Sequence, residues 1–79
     1  MVEELPANIR ISIDGSTLVK AALYDEAAER IHIWEHAGTH WVFDDCDWNL
    51  WRLFMTPHES SGFFVKNVLK RHPHRLVEE

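Results

Sequence analysis

The sequence predicts an α+β fold: an antiparallel sheet of about four strands, built from two hairpins, with one or two C-terminal helices packed on one of its faces. Three observations predict it. Ile9, Ile11 and Ile13 alternate with Arg10 and Ser12 at strand period and run into Asp14-Gly15, a strong short hairpin signal. Ile31 to Glu35 and His40 to Phe43 are rich in β-branched and aromatic residues and flank Ala37-Gly38, where glycine supplies the positive φ of a turn. Beyond Asp47 the apolar residues follow helical spacing, with Phe64, Val65, Val68 and Leu69 forming a stripe that Pro73 ends.

Residues 1–7 have no periodicity, and Pro6 biases Leu5 away from helical geometry, so an extended or disordered arm is expected there. The first turn then leads into a strand from Thr17 to about Tyr24, with Val19, Ala21 and Leu23 on one face and Leu18, Lys20, Ala22 and Tyr24 on the other. A long helix from Ser16 to His36, with Val19, Leu23, Ala27, Ile31 and Trp34 as its stripe, competes on propensity. Strands are preferred because the Asp-Gly turn needs a partner strand; Asp25 to Glu29 then becomes a loop or a single helical turn.

In the second hairpin, a loop of two or four residues pairs Glu35 with His40, Trp34 with Trp41, Ile33 with Val42 and His32 with Phe43. That register puts Trp34, Trp41 and Phe43 on one face and Ile33 and Val42 on the other. One face is expected to pack on a helix, and the other to be covered by the C-terminal half or offered to a partner. Asp47 is placed to cap a helix from Trp48 to about Met55 that Pro57 stops, although a fifth strand fits the same apolar run. Ser60 or Ser61 caps a second helix through about Arg71, with Lys66, Lys70 and Arg71 on its wet side.

Seventy-nine residues allow a single small domain whose burial only narrowly exceeds the entropy of ordering the chain. Four Trp and four Phe supply apolar area in place of disulfides, which one cysteine cannot form internally. The opening residues carry acids where a signal peptide needs positive charge, and no run of about 18 apolar residues exists, so a soluble, cytoplasmic protein without membrane contact is expected.

The formal net charge is −5, unevenly distributed. Residues 1–59 hold eleven acids and four bases, giving −7, whereas residues 60–77 hold four bases and no acid. A surface of −7 repels nucleic acid and anionic membranes and draws in basic protein surfaces.

The groups able to carry chemistry are few. His32, His36, His40 and His58, with Cys46 and the nearby aspartates, include every ligand type zinc uses. Their spacing argues against a site: the three earlier histidines share a face only on a helix that Gly38 breaks, and in the hairpin His32 and His40 fall on opposite faces, leaving only weak pairs such as His36 with His40 or His40 with Glu35. No cofactor is expected. Cys46, among Asp44, Asp45 and Asp47, should hold its proton and be inert as a nucleophile. The three glycines stand alone at 15, 38 and 62, without a phosphate-binding loop. The basic run Lys66, Lys70, Arg71, His72, His74, Arg75 touches at most one phosphate backbone and is opposed by the rest of the surface, so direct nucleic-acid binding is disfavoured.

What remains is the cluster Asp44, Asp45 and Asp47 beside Trp34, Trp41 and Trp48, with Glu35. Carboxylates around aromatic anchors suit docking on a basic protein surface, where charge steers encounter and buried rings supply most of the affinity. The expectation is a non-enzymatic acidic binding protein, an inhibitor masking a basic site on a nucleic-acid-handling or toxic protein. Phage anti-defence proteins (anti-CRISPR or anti-restriction), antitoxins and immunity proteins exemplify the class. A nucleic-acid-binding module on the basic helix and a homodimer closed through the aromatic face are the alternatives.

Overall fold

The computed structural model describes residues 7–55 and 61–77. Residues 1–6 of the arm expected at 1–7, the stop at Pro57 and the cap at Ser60 lie outside these residues. Five strands form one antiparallel sheet in chain order: β1 (Ile11–Ser12), β2 (Val19–Asp25), β3 (Arg30–Glu35), β4 (His40–Phe43) and β5 (His74–Val77). Between β4 and β5 come two helices, α1 (Trp48–Met55) and α2 (Ser61–Asn67), and a 3-10 turn at Leu69–Arg71.

The stretch 19–35 is strand, turn, strand, and the long helix is not formed. Asp14 and Gly15 bend the chain, but the connection is longer than a two-residue turn. Ile11 pairs with Ala22, Ser12 with Ala21, and the Ile13 N–H reaches the Lys20 carbonyl at 3.0 Å. Ser16 Oγ accepts the N–H groups of Leu18 and Val19 at 3.3 and 2.9 Å, fixing the entry to β2. A register shift between Val19 and Ala21 inserts one extra residue. The bulge changes the side-chain parity, so Val19 joins Ala22 and Tyr24 in the core while Ala21 and Leu23 face the other way. The simple alternation expected for this strand is corrected accordingly.

The β3–β4 loop has three residues. The Gly38 N–H donates to the Glu35 carbonyl and the Glu35 N–H to the Thr39 carbonyl, both at 2.9 Å, with Gly38 at φ +97°. An odd loop moves the pairing by one residue relative to a two- or four-residue loop. Trp34 pairs with His40, Ile33 with Trp41, His32 with Val42 and Ile31 with Phe43. Trp34 and Trp41 therefore lie on opposite faces, as do Ile33 and Val42, contrary to the expected register.

One sheet face, carrying Ala22, Tyr24, Ile31, Ile33 and Phe43, packs against Trp51, Phe54, Phe64, Val65 and Leu69. Trp51 is completely buried and stacks on Tyr24 at 5.6 Å and on Phe54 at 5.7 Å, while Phe54 meets Phe64 edge-on at 5.5 Å. Trp51 and Phe54 reach the same layer because they stand three apart on a helix, which settles 48–55 as helical. In the second helical stretch α geometry ends at Asn67. Val68, at φ −118°, hands the chain to the 3-10 turn, which still buries Leu69. The chain then returns along β4 as β5, an exposed edge strand pairing His74 with Phe43 and Leu76 with Trp41. Among the described residues, no helix is long and apolar enough to cross a membrane.

Candidate functional site

The β2–β3 turn and the segment between β4 and α1 leave the sheet at the same end, and backbone bonds hold them together. The Cys46 N–H donates to the Glu29 carbonyl at 2.8 Å. Arg30 Nε lies 2.7 Å from Asp44 Oδ1, an ion pair open enough to water that its Coulomb energy is largely screened. Glu29 and Asp45 adopt left-handed backbone conformations, φ +53° and +56°, on either side of this contact.

Six carboxylates meet here: Asp25, Glu26 and Glu29 from one segment, Asp44, Asp45 and Asp47 from the other. Three of them also build the scaffold. Asp25 Oδ1 accepts the Ala28 N–H at 3.2 Å and closes the turn; Asp44 pairs with Arg30; Asp47 Oδ1 accepts the Leu50 N–H at 2.9 Å, as an N-cap of α1 does. The other three, Glu26, Glu29 and Asp45, are exposed. With Arg30 the only base in residues 25–30 and 44–47, the two segments carry six negative charges against one positive, −5.

Two buried groups beneath this rim register its field. Burial pushes the Cys46 thiol up to about 12, with Asp44, Asp45 and Asp47 adding to the effect. The thiol is thus protonated as expected, but desolvation ranks ahead of the aspartates as the cause. Tyr24 is raised as well, by burial first and then by Glu29 and Asp47, one from each acidic segment. Beside the rim Trp48 is 38% exposed, with the edge of its ring 6.0 Å, centroid to centroid, from Tyr24.

Of the residues singled out in the sequence, Asp44, Asp45, Asp47 and Trp48 are brought together; Trp34, Trp41 and Glu35 are not. Trp41 faces the helices toward the opposite end of β4. Its Nε1 donates to Glu35 Oε1 at 3.1 Å, and the Lys70 ammonium lies 4.1 Å from its ring centroid. Glu35 also accepts a hydrogen bond from Thr39 Oγ1. Trp34 lies on the other sheet face, with Arg10 4.5 Å above its ring and His40 stacked on it at 4.5 Å. Asp25, Glu26 and Glu29 were missed because only the pairing of β2 with β3 and of β3 with β4 brings them to the aspartates. The hint available in the sequence was that both acidic segments follow strands running in the same direction.

His32 Nδ1 lies 2.9 Å from His40 Nε2, so these two side chains share a face rather than taking opposite ones, a direct result of the odd loop. His36 donates from Nε2 to the Ser16 carbonyl at 3.0 Å. Among the described residues, no group of three or more His, Cys, Asp and Glu side chains is arranged to hold a metal ion; His58 lies outside them. No known family model matches the chain, and no curated protein matches its sequence.

Proposed function

We propose that the protein is a non-enzymatic binding module that docks on a basic protein surface through the acidic end of its sheet. The observation that carries this reading is the joining of two acidic segments into one rim by the Cys46–Glu29 backbone bond, next to a partly exposed tryptophan. The rim supplies a field that reaches about 8 Å at physiological ionic strength, which raises the encounter rate with a cationic partner. Trp48 supplies the apolar contact that a purely electrostatic surface lacks. The high pKa of the only thiol also supports a role without nucleophilic chemistry.

Within this class we favour an inhibitor that masks the basic site of a nucleic-acid-handling or toxic protein, as anti-restriction, anti-CRISPR, antitoxin and immunity proteins do. Lys70 is committed to the Trp41 ring, which weakens the case for the C-terminal bases as a nucleic-acid surface. The test is capture from a nuclease-treated lysate on immobilised protein at low and high salt. A stoichiometric basic partner retained after nuclease and weakened by salt is expected. Retention that nuclease abolishes, or self-association alone, contradicts the reading.

A further inference from the structure

We propose that the outer edge of β5 is a pairing surface for a second copy of this chain, the two β5 strands running antiparallel about a two-fold axis at Val77 and joining two sheets into one. The phase of the hydrogen-bond ladder carries the argument. The Asp44 N–H donates to the Pro73 carbonyl at 2.7 Å, so Asp44 and Pro73 are a hydrogen-bonded pair at the start of the β4–β5 ladder. Antiparallel pairs alternate: Phe43 with His74 and Trp41 with Leu76 are then non-hydrogen-bonded pairs, and Arg75 and Val77 bond β4. The other side of β4 agrees. The Glu35 N–H donates to the Thr39 carbonyl, and alternation from that pair turns the backbone groups of Trp41 and Phe43 toward β3. The N–H and C=O groups of His74 and Leu76 therefore point away from the sheet, and among the described residues no strand lies beyond β5. Such an edge is a template for another strand.

Charge identifies the occupant. Residues 74–79 read His-Arg-Leu-Val-Glu-Glu, basic in the first half and acidic in the second, so the segment is complementary to itself when paired antiparallel. A basic strand, by contrast, sets a cation against Arg75. The outward groups of Leu76 restrict the register to those in which Leu76 meets an even-numbered residue. A centre at Arg75 opposes two guanidinium groups, and a centre at Leu76 leaves Arg75 opposite Val77. A centre at Val77 sets two β-branched side chains against each other and Arg75 directly opposite Glu79 of the second copy. Leu76 then exchanges N–H and C=O bonds with the second copy's Glu78. Opposite charges and a β-branched pair both favour this register. The edge strand has four residues, and so short an interface makes a weak dimer that forms as concentration rises. The acidic rim belongs to the turns after β2 and β4 and takes no part in the pairing.

The experiment is analytical ultracentrifugation of the whole chain from about 10 µM to about 1 mM. The natural protein is expected to pass from monomer to dimer across that range. Leu76→Pro removes the outward N–H without touching a bond to β4, at a position where an edge strand accepts proline, and should remain a folded monomer throughout. Glu79→Lys sets two cations across the strand pair and should weaken association several-fold. Hydrogen exchange of the natural chain gives a second reading: the Leu76 amide should slow several-fold between the two ends of the range, whereas the Arg75 amide, already bonded to β4, should change little. A monomer at about 1 mM, a dimer that either folded variant leaves intact, or a Leu76 amide indifferent to concentration overturns the proposal. Hydrogen exchange decides the matter even where Leu76→Pro fails to fold.

Discussion

The backbone N–H of Cys46 donates to the carbonyl of Glu29 across 2.8 Å, and through that bond two acidic turns 17 positions apart in sequence become one surface. The same placement buries the Cys46 side chain, whose Sγ lies 3.4 Å from the Phe43 and Asp44 carbonyls. The junction is therefore buried on its inner side and charged on its outer side.

The buried Cys46 thiol predicts chemical silence. With its pKa pushed up to about 12, the thiolate fraction near pH 8 is on the order of one in ten thousand. Alkylation of the folded protein by iodoacetamide should be negligible over hours and complete in denaturant. The raised pKa contributes stability that is present below the ordinary thiol value and is lost as pH rises toward 12; Tyr24, raised in the same direction, adds to an alkaline loss of melting temperature. Rapid native labelling contradicts the burial.

Asp47 predicts a clean separation of cap from charge. Asp47→Ala removes the acceptor of the Leu50 N–H and should cost about 0.5–2 kcal/mol, a fall of roughly 4–8 °C in melting temperature per kcal/mol for a domain of this size. Asp47→Asn keeps an acceptor and should lose much less. Thermal melts of the two variants followed by circular dichroism are the check.

Gly38 holds the three-residue loop at φ +97° with open space around the position, so its substitution tests backbone conformation without a steric clash. Gly38→Ala should destabilise by about 1 kcal/mol, and Gly38→Asn by less, because asparagine tolerates this region better. Equal stability of Gly38→Ala and the natural protein in urea unfolding speaks against the loop as described.

Among the described residues, Trp51 is the largest fully buried side chain. Removing its ring leaves Tyr24 and Phe54 without the residue between them, and Trp51→Ala should cost about 3–5 kcal/mol. A domain of 79 residues has a total stability of roughly 4–12 kcal/mol, so the variant is expected at or near the unfolding threshold. Urea unfolding of Trp51→Phe, which keeps a ring, should retain most of the lost stability.

What the sequence made legible was local. The β-branched and aromatic runs on either side of Ala37-Gly38 identified the hairpin, Asp47 identified the start of α1, and the spacing of Phe64, Val65 and Leu69 identified a buried helical face. What it concealed depended on counts of single residues. One residue in the 36–38 loop decides whether Trp34 shares a face with Trp41 or with His40, and one residue at Lys20 decides whether Val19 faces the core. β5 was hidden because an exposed edge strand needs no apolar alternation, and residues 74–77 show none. The acidic rim was half visible: the aspartates are adjacent in sequence, whereas Glu26 and Glu29 join them only through strand pairing.

The most direct test of the docking claim changes the charge of the rim and leaves its scaffold alone. Glu26→Lys, Glu29→Asn and Asp45→Asn together raise the charge by four. They spare Asp25, Asp44 and Asp47, and they place asparagine at the two left-handed positions where it is best tolerated. Capture of the basic partner by this variant, compared with the natural protein at low salt, is the measurement. An unchanged melting temperature with affinity weakened on the order of tenfold or more is the predicted result. Undiminished capture by a folded variant would show that the acidic end of the sheet is not the docking surface.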